Sequence, residues 1–337
     1  MNSKRFLSIP LEWLIVVILL VVALLLPLYL ETYWLHVIII AYFYGMLASS
    51  WALLAGFAGQ FSFGHMAFMA IGGYTTGLLS WYLNTPPLIG IILGVLMAGL
   101  FGLAIGILVL RFKAAYLALF TIAFSEILRM ILNGESDITR GDQGLSVAPL
   151  FGEEIISRVP YYYTMLAVLL VCLLFMYWLA KSRVGLFLRA IREDEEAAAA
   201  RGVDVVRYKV LTFVITSMIA GLAGCFFAHY ITLLTPNIMI IPQMGLVIAM
   251  AILGGVESLI AAVMGAIIIQ VSLEGLREFG AWRLVIFGIM LILTLRFARD
   301  GLIAPLIQRI LGTAPRAELR EAAPQAVMSN GEESDEA

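Results

Sequence analysis

Again and again this chain stays apolar for about twenty residues at a stretch, as in "LEWLIVVILLVVALLLPLYL" at 11–30. A helix rises about 1.5 Å per residue, so roughly 20 residues cross the ~30 Å hydrocarbon layer of a bilayer. Backbone N–H and C=O groups in that layer must pair within their own segment, so each run is expected to be a helix. With 62% of its 337 residues hydrophobic and 13% charged, the chain carries far more apolar surface than one soluble core can bury. The fold class is therefore all-α, a polytopic membrane protein.

On this ruler about ten spans are expected, within a range of eight to eleven: 11–30, 35–55, 60–82, 88–110, 114–132, 162–180, 209–231, 242–256, 258–275 and 281–298. The eighth is short, and Gly254-Gly255 marks where it and the ninth form a broken or re-entrant pair if they are two halves of one unit. The first run lacks a small-residue cleavage site and reads as a retained span rather than a secretory signal. Three regions follow: a short N-terminus at 1–10, a membrane domain at 11–300 with a charged loop at 181–209, and a tail at 301–337. The tail ends "SNGEESDEA" and holds too few apolar residues to offset the entropy of ordering, so it is read as largely disordered.

Lys and Arg collect in cytoplasmic loops, and their placement tests the count. Lys4 and Arg5, Arg111 and Lys113, the cluster from Lys181 to Lys209, and Arg296 with Arg299 all fall on one side of about ten spans. Arg140, Arg158 and Arg277 fall on the other. Both termini are thus expected in the cytoplasm. A net charge of −2 makes no case for nucleic acid as a partner, whereas membrane lipid is implied throughout. Cys172 and Cys225 sit in apolar runs with no Cys or His at metal spacing and read as small core residues; no metal is expected.

The segment "GFAGQFSFGHMAFMAIGGYTTG" at 56–77 mixes glycines with Gln60, Ser62, His65, Tyr74, Thr75 and Thr76. Small residues let helices approach closely, and polar groups in lipid need a partner or water, so this span belongs inside the bundle. It either lines a pathway, interrupted near Gly59–Gly64, or serves close packing alone. Thr121 and Ser125 in the fifth span and Thr216 in the seventh join the candidate path; hydroxyls bonded to their own helix explain them equally well. Glu126 and Arg129, three apart, share a face and read as an ion pair or a vestibule contact. "GFAGQF" at 56–61 echoes "GLAGCF" at 221–226, through an ancestral repeat or by chance.

The least oily stretch is "REDEEAAAARG" at 192–202. From Leu186 to Arg201 there is no Gly or Pro, and Gly202 stands where a helix would end, so one helix of about four turns is expected. Its charges match the helix dipole poorly, so isolated stability is not its purpose. Alanines make a thin surface that can lie close to another protein, with Arg and Glu pairing at the rim.

"EAAAARG" at 196–202 fits the EAA-x-x-x-G core of the cytoplasmic loop in bacterial ABC-importer permeases. The wider string 185–224, with "AGQFSFGHMAFMAIGGYT" at 58–75 and "TRGDQGLSVAP" at 139–149, resembles the LivM-type branched-chain amino acid permease family over most of residues 40–300. Position 140 departs from that pattern, with Arg where Gly is expected. The resemblance implies a transport subunit of the bacterial inner membrane, not an enzyme. It implies as partners a homologous second permease subunit, two ABC ATPase subunits, and a periplasmic or lipid-anchored binding protein for Leu, Ile, Val or a relative. Arg192, Glu195, Glu196, Ala197, Ala198 and Gly202 are then the ATPase-coupling residues. The sequence contains no Gly-x-x-x-x-Gly-Lys-Ser/Thr, so ATP and Mg would be used by the partner ATPases and this chain would need no cofactor. Permeases for urea or short-chain amides have similar sequences. An ion-coupled transporter or channel would want a buried carboxylate network or a filter repeat, and an intramembrane enzyme a ligand pair that His36, His65 and His229 do not form.

Overall fold

The computed structural model describes residues 11–109, 114–152, 157–280, 282–297 and 301. Lys4, Arg5, Arg111, Lys113, Arg299 and the tail beyond 301 lie outside the described residues. A helix stands at each expected span: α1 (Leu11–Tyr29), α2 (Thr32–Ala52), α3 (His65–Leu83), α4 (Pro87–Val109) and α5 (Ala114–Gly134), then after the short α6 (Ser136–Thr139), α7 (Val159–Lys181). Two helices of the charged loop follow, α8 (Arg183–Glu193) and α9 (Glu195–Ala200). The chain continues through α10 (Val205–Ile231), α11 (Ile241–Gly254), α12 (Leu259–Gly275) and α13 (Trp282–Phe297). Among the described residues, by length and composition alone, five of the helical segments can cross a membrane, or six if the bent pair α11–α12 is one span. The chain is an all-α, polytopic membrane protein. A two-residue antiparallel pairing, β1 (Leu145–Ser146) with β2 (Leu233–Leu234), is the sheet among the described residues.

The bundle is organised around contacts between backbones. α10 packs along α3 and α4, while α2 packs along α12, α7 and α11. A Cβ on Gly224 would fall on the Met69 carbonyl, and one on Gly72 on the Gly221 carbonyl, so α3 and α10 touch main chain to main chain. In lipid there is no hydrophobic gain from joining two apolar helices, so close van der Waals contact and weak Cα–H···O bonds carry the association. α4 shows the same logic on its two faces. Gly90, Gly94 and Gly102 turn toward Thr76, Cys225 and Ser217, whereas Leu88, Ile92, Leu96, Leu100, Leu103 and Ile107 are exposed. A helix apolar all round is thus sorted by size, small inward and large toward lipid.

One junction differs from expectation and another matches it. α2 runs on through a π turn, Leu53–Phe57, and stops at Gly59, whose φ of +67° is left-handed; the third span consequently starts at His65 rather than near 60. The eighth and ninth spans form a pair bent by 119° at Gly255 (φ +125°), with Ser258 capping α12 by accepting from the Ala261 N–H at 3.3 Å. The buried centre is aromatic, with Phe43, Trp51, Phe68, Tyr162 and Phe213 all but inaccessible.

Replacing Gly224 by Val should force α3 and α10 apart and cost about 3 kcal/mol or more, the upper range for overpacking, read as a lower Tm in detergent. Gly245→Ala, at a position with open space beside it, should leave Tm unchanged.

Candidate functional site

The break between α2 and α3 gathers part of the polar set. Trp51 donates its indole N–H to the Ser62 carbonyl (2.8 Å), the Ser62 hydroxyl accepts from the Gly64 N–H (3.1 Å), and Thr121 on α5 accepts from the Phe63 N–H (2.9 Å). These bonds give a non-helical segment in the bundle the partners its backbone lacks. Gln60 and His65, 2% and 1% exposed, make no side-chain hydrogen bond of ordinary geometry among the described residues, and the Ser50 backbone faces the His65 ring. Leaving such a buried group without a partner costs about 1–3 kcal/mol.

The remaining candidates are dispersed. Tyr74 lies nine residues beyond His65, on the opposite face of α3. It packs against Leu145 and Leu234, with its hydroxyl unpaired. Thr75 and Thr216 return their hydroxyls to the carbonyls of Ile71 (2.7 Å) and Phe213 (3.0 Å), as backbone-bonded residues do, and Ser125 is buried on α5. Glu126 and Arg129 form a forked pair, with Arg129 Nε 3.1 Å from both carboxylate oxygens.

At the far end of the bundle the Thr139–Pro149 loop is stitched down by β1–β2 and by a clasp that sequence reasoning missed. His229 Nδ1 lies 2.7 Å from the Ala148 carbonyl, which can only accept, so Nδ1 carries the proton. Nε2 therefore accepts from the Thr76 hydroxyl at 2.8 Å. Thr76 and His229 are 153 residues apart, and no spacing rule connects them. Arg140 adopts φ +64°, a left-handed conformation that explains why glycine suits this position, and its guanidinium sits 4.9 Å over the Trp81 ring. Nearby, a narrow recess of about 20 Å³ lies between α2, α7 and α10, lined by Ile40, Phe43, Tyr161, Met165 and Phe227. Its faces come from three helices, so it too had no local signal.

At the opposite end the charged loop is two helices, not one. Asp194 takes an extended conformation and accepts from the Ala197 N–H at 3.0 Å, which ends α8 and caps α9 in a single residue. Ser182 and Asp204 cap α8 and α10 in the same way. Gly202 (φ +84°) closes α9 as expected: its N–H bonds Ala199 O (2.9 Å) and the Val203 N–H bonds Ala198 O (3.2 Å), the paired bonds of a Schellman motif. Glu195, Glu196, Ala197 and Gly202 are exposed, whereas Ala198 turns inward against Ile191 and Val205. Lys209 pairs with Glu195 at 2.6 Å. Arg192 points into the bundle's end, donating Nη1 to the Gly56 carbonyl and Nη2 to Glu257 at 2.6 Å. With side chains 34% and 46% exposed, the Arg192–Glu257 pair is worth less than about 1 kcal/mol.

Fold and site together define a multi-pass membrane protein carrying a capped helix pair on one end of the bundle. The chain belongs to the branched-chain amino acid transport system permease component family, which it matches over residues 33–295. It is 30% identical over 277 residues to the high-affinity branched-chain amino acid transport system permease protein LivM of Escherichia coli (strain K12), and equally to that of Salmonella typhimurium; each match covers 74% of this chain. The chain spans 65% of the length of these relatives. The fructose import permease protein FrcC of Rhizobium meliloti is 27% identical over 243 residues, 67% of either chain. No solved structure matches.

His229→Leu should strand the Ala148 carbonyl and the Thr76 hydroxyl, destabilising the chain by about 2–4 kcal/mol for two buried groups, with faster proteolysis in the 139–152 loop as the readout. For Arg140→Gly, relief of the left-handed residue and loss of the Trp81 contact each amount to about 1 kcal/mol, so Tm should hold nearly constant.

Proposed function

We propose that this chain is the membrane-spanning subunit of an ATP-driven ABC importer of the bacterial cytoplasmic membrane, with branched-chain amino acids as cargo. It works with a homologous second permease subunit, two ABC ATPases that use ATP and Mg, and a periplasmic or lipid-anchored binding protein. The observation that carries this reading is the Glu196–Gly202 segment, folded as an Asp194-capped and Schellman-closed helix exposed outward, beside α8, whose Arg192 is bonded inward to two helix breaks.

About ten spans, with both termini cytoplasmic, agree with how the ends of the helices are tied. Tyr162 and Tyr163 at the start of α7 donate to the carbonyls of Ala23 (2.6 Å) and Leu24 (3.0 Å), late in α1. α1 therefore starts toward the α8–α9 end. A Cβ on Gly301, after α13, would meet Gly255 Cα at 2.6 Å, at that same end. α12 reaches from Glu257, beside Arg192, to Glu274, bonded to Tyr33 at the start of α2, which supports it as a crossing helix. Only 17% of the α5 span is buried within this chain, and it carries Glu126 and Arg129. Charges facing hydrocarbon are costly, which supports a second permease subunit against α5. In this arrangement 1–10 and 301–337 flank a permease domain of 11–300, and the path runs past Gln60, Ser62, His65 and Thr121.

Movement of α8–α9 with the ATPases would shift the spans between inward and outward access about the interrupted helices. The cargo reading rests on the LivM relatives; the likeness to a fructose import permease keeps other cargoes, with urea and short-chain amides, as the second reading. Binding assays on the partner binding protein with Leu, Ile, Val, fructose and urea decide between them.

Glu196→Lys, and Gly202→Ile at its left-handed position, should each lower uptake at least tenfold and release the ATPases on purification while the chain still inserts. Normal uptake in both would refute the docking role, and uptake that persists without any ATPase partner would favour an ion-coupled transporter or a channel.

A further inference from the structure

We infer that Arg192 is an internal transmission residue rather than part of the surface that meets the ATPase: one guanidinium joins both interrupted spans, so the α2 break and the α11–α12 turn move together with α8–α9. The inference rests on the coupling role proposed above for this loop.

Gly56 belongs to the π turn that ends α2, where carbonyls have no further helical turn to donate to them. Arg192 Nη1 supplies that donor, while Nη2 of the same group reaches Glu257 in the turn after Gly255. The two targets belong to different breaks and are already pressed together, since a Cβ on Gly56 would lie 2.8 Å from the Val256 carbonyl carbon. Planarity matters here, because a guanidinium presents donors along two directions at fixed spacing and an ammonium is a single point.

α8 is seated on the same spot by a second residue. Arg189, three positions earlier and so on the same face, stacks 5.2 Å over the ring of Phe57, the last residue of the π turn. Gly59 turns away with φ +67°, and a Cβ there would sit 3.3 Å from Arg192 Cγ, so a larger residue would be strained at its backbone and would press on the Arg192 stem. The half-exposed charge pair holds weakly and the geometry holds specifically, so the seat of α8 is set by where the donors point rather than by charge alone. Glu196 and Ala197, by contrast, face outward from α9 and remain for the partner.

The test uses the transporter assembled from this chain and its partner subunits, reconstituted in proteoliposomes. Arg192→Gln and Glu257→Gln should leave the ATPases bound and hydrolysing ATP, yet lower uptake at least tenfold. Arg192→Lys, which keeps charge but not the fork, should fall between. The double variant Arg192→Cys with Glu257→Cys should be as slow as the Gln variants, and a short thiol-reactive cross-linker with a reducible disulfide should restore uptake that reductant then removes; because each sample is its own control, folding losses do not obscure the result. Release of the ATPases by Arg192→Gln would make Arg192 a docking residue and overturn the inference, as would normal uptake in the Gln variants or a cross-linked Cys pair no faster than the reduced one. ATPases that stay bound in Glu196→Lys would count against the docking reading of α9 and not against the Arg192 link.

Discussion

Main chain lies on main chain where α3 crosses α10, and the remainder of the bundle is arranged around that contact. Gly72 against Gly221 and Gly224 against Met69 leave no room for a side chain, so the two helices meet at the closest approach available. α4 can then wedge its glycine face into the groove they form. Lipid offers no hydrophobic gain for burying one leucine against another, and the shape complementarity of small residues takes over the role that a greasy core has in water.

The same shortage of water explains why interruptions are few and well supported. Where α2 ends, the Ala58–Gly64 segment is held by Trp51, Ser62 and Thr121 from inside the bundle and by Arg192 from the loop. Where α11 turns into α12, Ser258 and Glu257 perform the corresponding tasks. Both breaks lie at the α8–α9 end, so the parts of the membrane domain with the least regular backbone are the ones nearest the exposed helix pair.

What could be read in the sequence follows from how local each feature is. The long apolar runs, Gly202 as a helix terminator and the Gly254-Gly255 break depend on residues within a few positions of one another, and each stands where the pattern placed it. Asp194 escaped notice because a caps-and-breakers reading looked for Gly or Pro inside 186–201, whereas an aspartate whose side chain takes the Ala197 N–H ends one helix by starting the next. The candidate path was half legible. Polar residues in a glycine-rich span announced burial, and the nine-residue spacing already sets Tyr74 opposite His65, but only packing shows that Thr75 and Thr216 are occupied with their own helices. Long-range pairings, Thr76 with His229 or Arg192 with Gly56, leave no periodic trace at all.

The clasp at His229 has one more implication. A proton relay runs along hydrogen-bonded groups that each accept and donate, and here the chain from the Thr76 hydroxyl through the His229 ring ends on the Ala148 carbonyl, which accepts but has no proton to pass on. The ring is a rivet between two helices and a loop. A proton current using it would have to pull the rivet out at every step, so at this point the bundle is insulated rather than wired.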